Sequence, residues 1–449
     1  MDLNFLCVLI WGVVGALAYS TTMGRRWSGA GFTLAFFLNL SLLHWFSGMI
    51  LLLPWYYPAE YNSTVAGFQT STVGIVAFAI GCFGVTPLLT RRPDHASESV
   101  PAANDSRIFR IFLAIGLCCF AFGAIGLAKI PTLSAFFASG QSFVFVALGF
   151  GLWQAYLRQN RRQMWILLAV TPIFPLLTVV LQGFLGFGVG YAIIVLCFLV
   201  AIYRPRLWAT LLVLPLIYVG LSVYVTYMRD RDEIRDVVWG GSKLEERVDQ
   251  TKRTFGRFEW FNLHNDQHLN AVNNRLNYNW LVGAEISHLD ATRAFGNGET
   301  IWMSVLALIP RAVWPNKPIQ AGSMDFVSHY TGLKFAEGTS VGMGLIFEFY
   351  ANFGTYGVLF GMFVMGIVVG YTDRRAGEEL RWGSPLLFAR WALIGIPLLT
   401  VGGSLIDVTP GIILAVAWTA GLRHLFVNSA LDNRQDESNL LSTVHTSDS

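Results

Sequence analysis

The stretch IPRAVWPNKP (Ile309 to Pro318), followed by GMGLIFEFYANFG (Gly342 to Gly354), marks where a long polar run gives way to sequence fit for hydrocarbon. The polar run begins near Arg229 and reaches Glu337, and it is rich in cations, amides and aromatics. Upstream and downstream of it, apolar stretches of ~18 or more residues recur. Such stretches read as membrane-spanning helices, because hydrocarbon offers the backbone no other hydrogen-bond partners. The 449-residue chain is 54% hydrophobic and only 13% charged, with mean hydropathy +0.51. The expectation is an all-α polytopic membrane protein of about eleven spans with one large extracytoplasmic loop.

The spans are expected near 3–20, 30–53, 66–89, 108–127, 141–157, 164–182, 184–202, 207–228, 340–371, 384–402 and 405–425. This divides the chain into a bundle over 1–228, a loop over 229–339, a second bundle over 340–427 and a polar, disordered tail over 428–449. Residues 3–20 lack a preceding cationic region and read as a retained first helix. Cationic loops stay cytoplasmic. Arg25 and Arg26, then Arg91, Arg92, Arg107 and Arg110, then Arg158, Arg161 and Arg162, then Arg204 and Arg206 alternate with connections nearly free of cations. That alternation puts the N-terminus outside, the 229–339 loop outside, and Arg374, Arg375, Arg381 and the C-terminus inside.

Two segments resist a simple crossing. Residues 299–314 (ETIWMSVLALIPRAVW) are apolar but short and broken by Pro310 and Arg311, so they read as a re-entrant or interface-lying helix. The 340–371 span is too long for one straight crossing, and Asn352, Phe353 and Gly354 are expected to break it. Irregular backbone at membrane depth is tolerated where it lines a protein cavity. Within the loop, Leu244, Val248, Phe255 and Phe258 recur at helical spacing in 229–259, which predicts one amphipathic surface helix. An amide-rich stretch follows from Asn262 to Trp280.

The absences narrow the function. There is no GxxxxGK[ST], no GxSxG and no HExxH. A net charge of +3, distributed between spans, does not suggest nucleic acid. The five cysteines fall inside apolar spans and form no CxxC. His264 and His268 at i, i+4 could share a metal, but no third ligand stands at a diagnostic spacing. They read instead as part of an amide network.

The positive signal is a set of cations toward the outer face: Arg275, Arg293, Arg311 and Lys317. A guanidinium forks onto phosphate oxygens, and a lysine adds a point charge. Most cations of 229–259 read as solvated or paired. Arg311 and Lys317 sit instead among Trp314 and prolines, where a buried cation is costly unless an anion meets it. Glu348 lies between apolar residues at the expected helix break. Ionisable residues inside spans are functional candidates, and desolvation suits such a carboxyl to general-base work. A structural pairing with Arg311 or Lys317 is the alternative. His329 and Tyr330 could bind or deprotonate a hydroxyl. His44 and Asp407 read as internally satisfied, and Trp260, Phe261, Tyr278 and Trp280 as interface anchors or sugar-stacking rings.

Arg311, Trp314, Pro315, Lys317 and Pro318, with Glu348, Tyr350, Asn352, Phe353, Gly354 and Gly357, resemble the paired motifs of the Wzy-type oligosaccharide repeat-unit polymerases. Arg275 resembles, more loosely, the arginine these proteins carry upstream. The resemblance covers about sixty residues. It implies a GT-C-type membrane glycosyltransferase of the bacterial inner membrane, with no metal or cofactor. Its substrate would be undecaprenyl-diphosphate-linked oligosaccharide, and a flippase and a chain-length regulator would be its partners. On that reading Arg311, Arg275 and Glu348 are catalytic. Lys317, Trp314, His329, Tyr350, Asn352 and Arg293 bind substrate. An O-antigen ligase-type transferase is the alternative, and a transporter a more distant one.

Overall fold

The computed structural model describes residues 3–24, 29–90, 106–124, 131–206, 211–309, 314, 323–335, 341–382 and 384–424. Every regular element among them is a helix. Among the described residues, six helices are long and apolar enough to cross a membrane: Leu3–Met23, Tyr61–Leu89, Phe136–Leu157, Arg161–Gln182, Leu345–Arg381 and Leu405–His424. Four shorter apolar helices, Phe32–Leu43, Gly188–Tyr203, Val213–Arg229 and Pro385–Leu398, occupy further expected stretches. Their outer faces expose Leu6, Leu9, Val13, Leu17, Leu214, Leu216 and Ile217. Water would penalise so much contiguous apolar surface, whereas lipid does not. The chain is therefore a multi-pass helical membrane protein.

At the centre, the helix from Tyr61 runs through a π-helical turn, Ile80–Val85, to Leu89 and packs along the Leu345–Arg381 helix. On its N-terminal half it is flanked by Tyr278–Thr292, which comes from the polar loop. That approach is backbone to backbone: a Cβ on Gly67 would overlap the Asn279 carbonyl, and one on Gly283 the Ser63 carbonyl. Small residues permit this closeness between membrane helices.

Asn279, fully buried, locks the contact. Its Nδ2 donates to the His44 carbonyl and Ser47 Oγ, both at 2.8 Å, while its Oδ1 accepts from Ser71 Oγ at 2.9 Å and meets His44 Nδ1 at 2.7 Å. His44 is thus held internally through Nδ1. Part of the amide-rich loop is consequently core rather than surface.

Three expectations change. The single amphipathic helix over 229–259 is two, Arg231–Trp239 and Leu244–Gly256, because Gly240 and Gly241 interrupt it, the latter at φ 77°. In the second helix Gln250, Thr251 and Thr254 are buried while Leu244, and Phe258 just beyond the helix end, stay exposed. The span expected to end at 371 continues to Arg381, so Arg374 and Arg375 are helical rather than in a loop. Buried Asp373 and the Arg375–Glu378 pair at 3.2 Å hold that extension. Within 299–314, the helix is Glu299–Ala307, and Thr409 Oγ1 donates to the Ser304 carbonyl at 3.0 Å.

Candidate functional site

The expected break in the long helix is present. Phe353 (φ −142°, ψ 22°) and Gly354 (φ 60°, ψ −147°) leave helical geometry. Gly354 occupies a backbone region that L side chains avoid. The interrupted ladder frees backbone acceptors, and the turn 296–300 supplies donors. Gly296 N–H donates to the Ala351 carbonyl at 2.9 Å and Asn297 N–H to the Asn352 carbonyl at 3.1 Å. Asn352 completes the clasp, with Oδ1 accepting from Gly298 N–H at 2.9 Å and Nδ2 donating to Thr300 Oγ1 at 2.7 Å.

Glu348 lies one turn earlier and is fully buried. Its Oε2 accepts the Leu405 N–H at 2.7 Å, at the start of the Leu405–His424 helix, where the dipole favours negative charge. The same helix start is capped by Asp407, whose Oδ2 accepts from both the N–H and Oγ of Ser404, each at 3.0 Å. Glu348 Oε1 has no hydrogen-bond partner among the described residues, and neither does the buried Tyr330 hydroxyl. Tyr350 is buried near Phe295, ring centroids 6.4 Å apart. Glu285, on the Tyr278–Thr292 helix and outside the candidate spans, is fully buried, and neither of its oxygens has a hydrogen-bond partner among the described residues. Burial pushes its carboxyl well above the ordinary range.

A second cluster stands at the end of Val213–Arg229. Arg231 and Arg235, four residues apart on one helix face, are each 8% exposed, and Arg275 approaches from the last turn of Asp266–Leu276. Burial, then the Arg275 charge, lowers the Arg231 pKa; burial, then Arg231, lowers that of Arg235. The Arg235 guanidinium is 4.7 Å from the ring centroids of both Phe184 and Trp239, and its Nε is buried without a partner among the described residues. The one acid ion-paired with this trio among the described residues is Asp232, 3.2 Å from Arg231 and 91% exposed in its side chain. Two buried arginines with so little compensation, beside the exposed Arg275, make this cluster a candidate for meeting an anion.

The two clusters are joined through Tyr278. It follows Arg275 by three residues, across Asn277, which caps the next helix by accepting the Trp280 N–H at 3.1 Å. The Tyr278 ring lies against Gly342, Gly344 and Gly402, where any Cβ would overlap it or stand in tight contact. Gly344 in turn opens the helix that carries Glu348.

Of the sequence candidates, Glu348, Asn352 and Tyr350 meet at the break, and Arg275 joins the arginine cluster. Arg293 is exposed at the C-terminal end of Tyr278–Thr292, 3.9 Å from Asp290. His329 is exposed, edge-on to Tyr330 at 4.8 Å. Trp314 is 37% exposed. Arg311 and Lys317 lie outside the described residues, as does any pairing of them with Glu348. His268 is engaged locally, its Nδ1 accepting the Asn262 N–H at 3.1 Å and its Nε2 lying 3.4 Å from Glu259. Arg231, Arg235 and Glu285 escaped the sequence reading. The i, i+4 spacing of the two arginines, beside apolar Ile234 and Val238, was the available sign of a buried cationic face.

The chain belongs to the family described as "Domain of unknown function (DUF8712)", whose model matches residues 58–387. The matched stretch contains the arginine cluster, the 296–300 turn and the broken helix. No curated protein and no solved structure matches the chain.

Proposed function

We propose that this family member is a membrane glycosyltransferase that polymerises undecaprenyl-diphosphate-linked oligosaccharide repeat units into a surface polysaccharide. It works at the outer face of the bacterial inner membrane, in a GT-C-like bundle of eleven spans with the N-terminus outside and the C-terminus cytoplasmic. The observation that carries the reading is the trio Arg231, Arg235 and Arg275, linked through Tyr278 to the helix of Glu348. A diphosphate is the anion that needs several guanidinium forks at once.

In the reaction, an acceptor sugar hydroxyl attacks the anomeric carbon of the donor glycan. The new bond joins that oxygen to the anomeric carbon. The bond from the anomeric carbon to the diphosphate breaks, and its electron pair departs with the lipid diphosphate. Negative charge therefore gathers on the leaving group, where fixed cations lower the barrier. Arg275, Arg231 and Arg235 stabilise it, joined by Arg311 and Lys317 as the sequence resemblance implies. Glu348 takes the hydroxyl proton through Oε1, the oxygen not already accepting from Leu405. Because Glu348 is sealed, the acceptor reaches it when the 296–300 turn lifts from the break. Tyr350, Trp314, Arg293 and His329 border the acceptor path.

The test is purified protein in proteoliposomes with lipid-diphosphate oligosaccharide, read as a glycan ladder on a gel. A ladder is expected, lost in Arg275→Ala and Glu348→Gln proteins that still insert. Transfer to lipid A core in place of a ladder would instead establish a ligase.

A further inference from the structure

At the far end of the Leu345–Arg381 helix from Glu348, a cavity of about 120 Å³ opens against the Phe143–Leu157 and Gly186–Tyr203 helices. Two lining side chains, Arg204 and Arg381, are cations, and none is acidic. Trp153 and Tyr156 form an aromatic wall, stacked at 5.6 Å between ring centroids. Arg381 Nη1 and Trp153 Nε1 are both buried with no hydrogen-bond partner among the described residues.

Two of the nearby acids have other partners. Asp373 accepts the N–H groups of Gly31 and Phe32 at 2.7 and 2.9 Å, and Glu378 pairs with Arg375 at 3.2 Å. Neither Arg204 nor Arg381 forms an ion pair among the described residues. Arg204 also ends its helix in the left-handed region at φ 47°, a conformation that costs a non-glycine residue energy. Two like charges and two unsatisfied donors around a space several times a water's ~30 Å³ share make a site built for an anion rather than a packing defect.

We propose that this cavity binds a phosphate group, with Arg204 and Arg381 gripping its oxygens and Trp153 Nε1 donating a further hydrogen bond. The phosphate comes from an anionic lipid headgroup or from a soluble phosphate, and both present the same charged oxygens. The site stands apart from the proposed glycosyl transfer.

Full-length protein in neutral detergent is titrated with phosphatidylglycerol, phosphatidylcholine or inorganic phosphate, and bound adducts are counted by native mass spectrometry alongside the thermal midpoint. Saturable binding of phosphatidylglycerol but not phosphatidylcholine identifies a lipid headgroup; saturable binding of inorganic phosphate identifies a soluble ligand. In either case Arg204→Gln and Arg381→Gln each weaken binding about tenfold or more, as loss of a charge-assisted hydrogen bond requires. Trp153→Phe weakens it less while keeping the aromatic stack. Should Arg381→Gln fail to fold, the half-buried Arg204 and Trp153→Phe carry the comparison. The proposal is overturned if wild type binds neither ligand saturably, or if the folded variants bind as tightly as wild type.

Discussion

Replacing Arg231 by Met separates a binding role from a structural one, because the two predict opposite signs for stability. Arg231 is 8% exposed, so Met keeps most of its packed volume. The loss is small: an ion pair with the exposed Asp232, worth about 0–1 kcal/mol. The relief is larger. At an effective dielectric of about 20, like charges at ~6–8 Å repel by roughly 2–3 kcal/mol, and the Arg231 charge is disfavoured by Arg275 and itself disfavours that of Arg235. The desolvation cost of a buried guanidinium disappears as well.

Ligand-free Arg231→Met protein should therefore be more stable than wild type by about 2 kcal/mol, the trade between stability and function expected of a binding site. In detergent this appears as a rise of a few degrees in apparent Tm. Pyrophosphate should reverse the order. At one hundred times its Kd it stabilises wild type by ~2.7 kcal/mol and the variant by much less. A ligand-free variant that melts below wild type, with pyrophosphate raising both equally, would refute an anion site at this cluster.

Other consequences can be checked by the same melts and by proteolysis. Asn279→Ala removes four buried hydrogen-bond contacts at the junction of the polar loop and the bundle, at about 1 kcal/mol each. It should cost roughly 3–5 kcal/mol and release Tyr278–Thr292 to protease; resistance equal to wild type would contradict the anchoring. Gly354→Ala forces a side chain into φ 60°, ψ −147° and should destabilise by about 1–3 kcal/mol, measured as a lower denaturation midpoint, whereas Gly186→Ala, with open space around it, should not. The Arg229 hydrogen bond is the main cause holding Asp230 and Glu259 below the ordinary carboxylate range. Their folded pKa values being depressed, this clamp is complete above the unfolded values near ~4 and is lost as pH falls through the lower folded values. Hydrogen exchange over 226–259 should be unchanged from pH 7 to 5 and accelerate, after correction for intrinsic rates, below about pH 4. Acceleration already at pH 6 would show that the clamp does not rest on these two carboxylates.

The broken helix was legible because its signals are local: Asn352, Phe353 and Gly354 interrupt an apolar run longer than a membrane needs, and Glu348 is conspicuous inside it. The arginine cluster was not. In RDRDEIRD every cation has an acid within two residues, which reads as a solvated face. Only the fold shows that Arg231 and Arg235 turn inward while Asp232 turns out. The burial of Asn279 was hidden for a related reason, since its partners His44, Ser47 and Ser71 lie more than two hundred residues away. The extension to Arg381 depends likewise on Asp373 finding the helix start at Gly31 and Phe32. Local sequence carries propensity and period; it does not carry which polar groups will meet.

The most direct test of glycosyl transfer follows the lipid rather than the glycan. Proteoliposomes holding the purified protein and a labelled lipid-diphosphate oligosaccharide are sampled for free undecaprenyl diphosphate and for new glycosidic bonds. One lipid diphosphate should be released for each bond formed, with release lost in Arg275→Ala. Substrate that crosses the bilayer with its lipid still attached, and no diphosphate released, would contradict the account and make the protein a transporter.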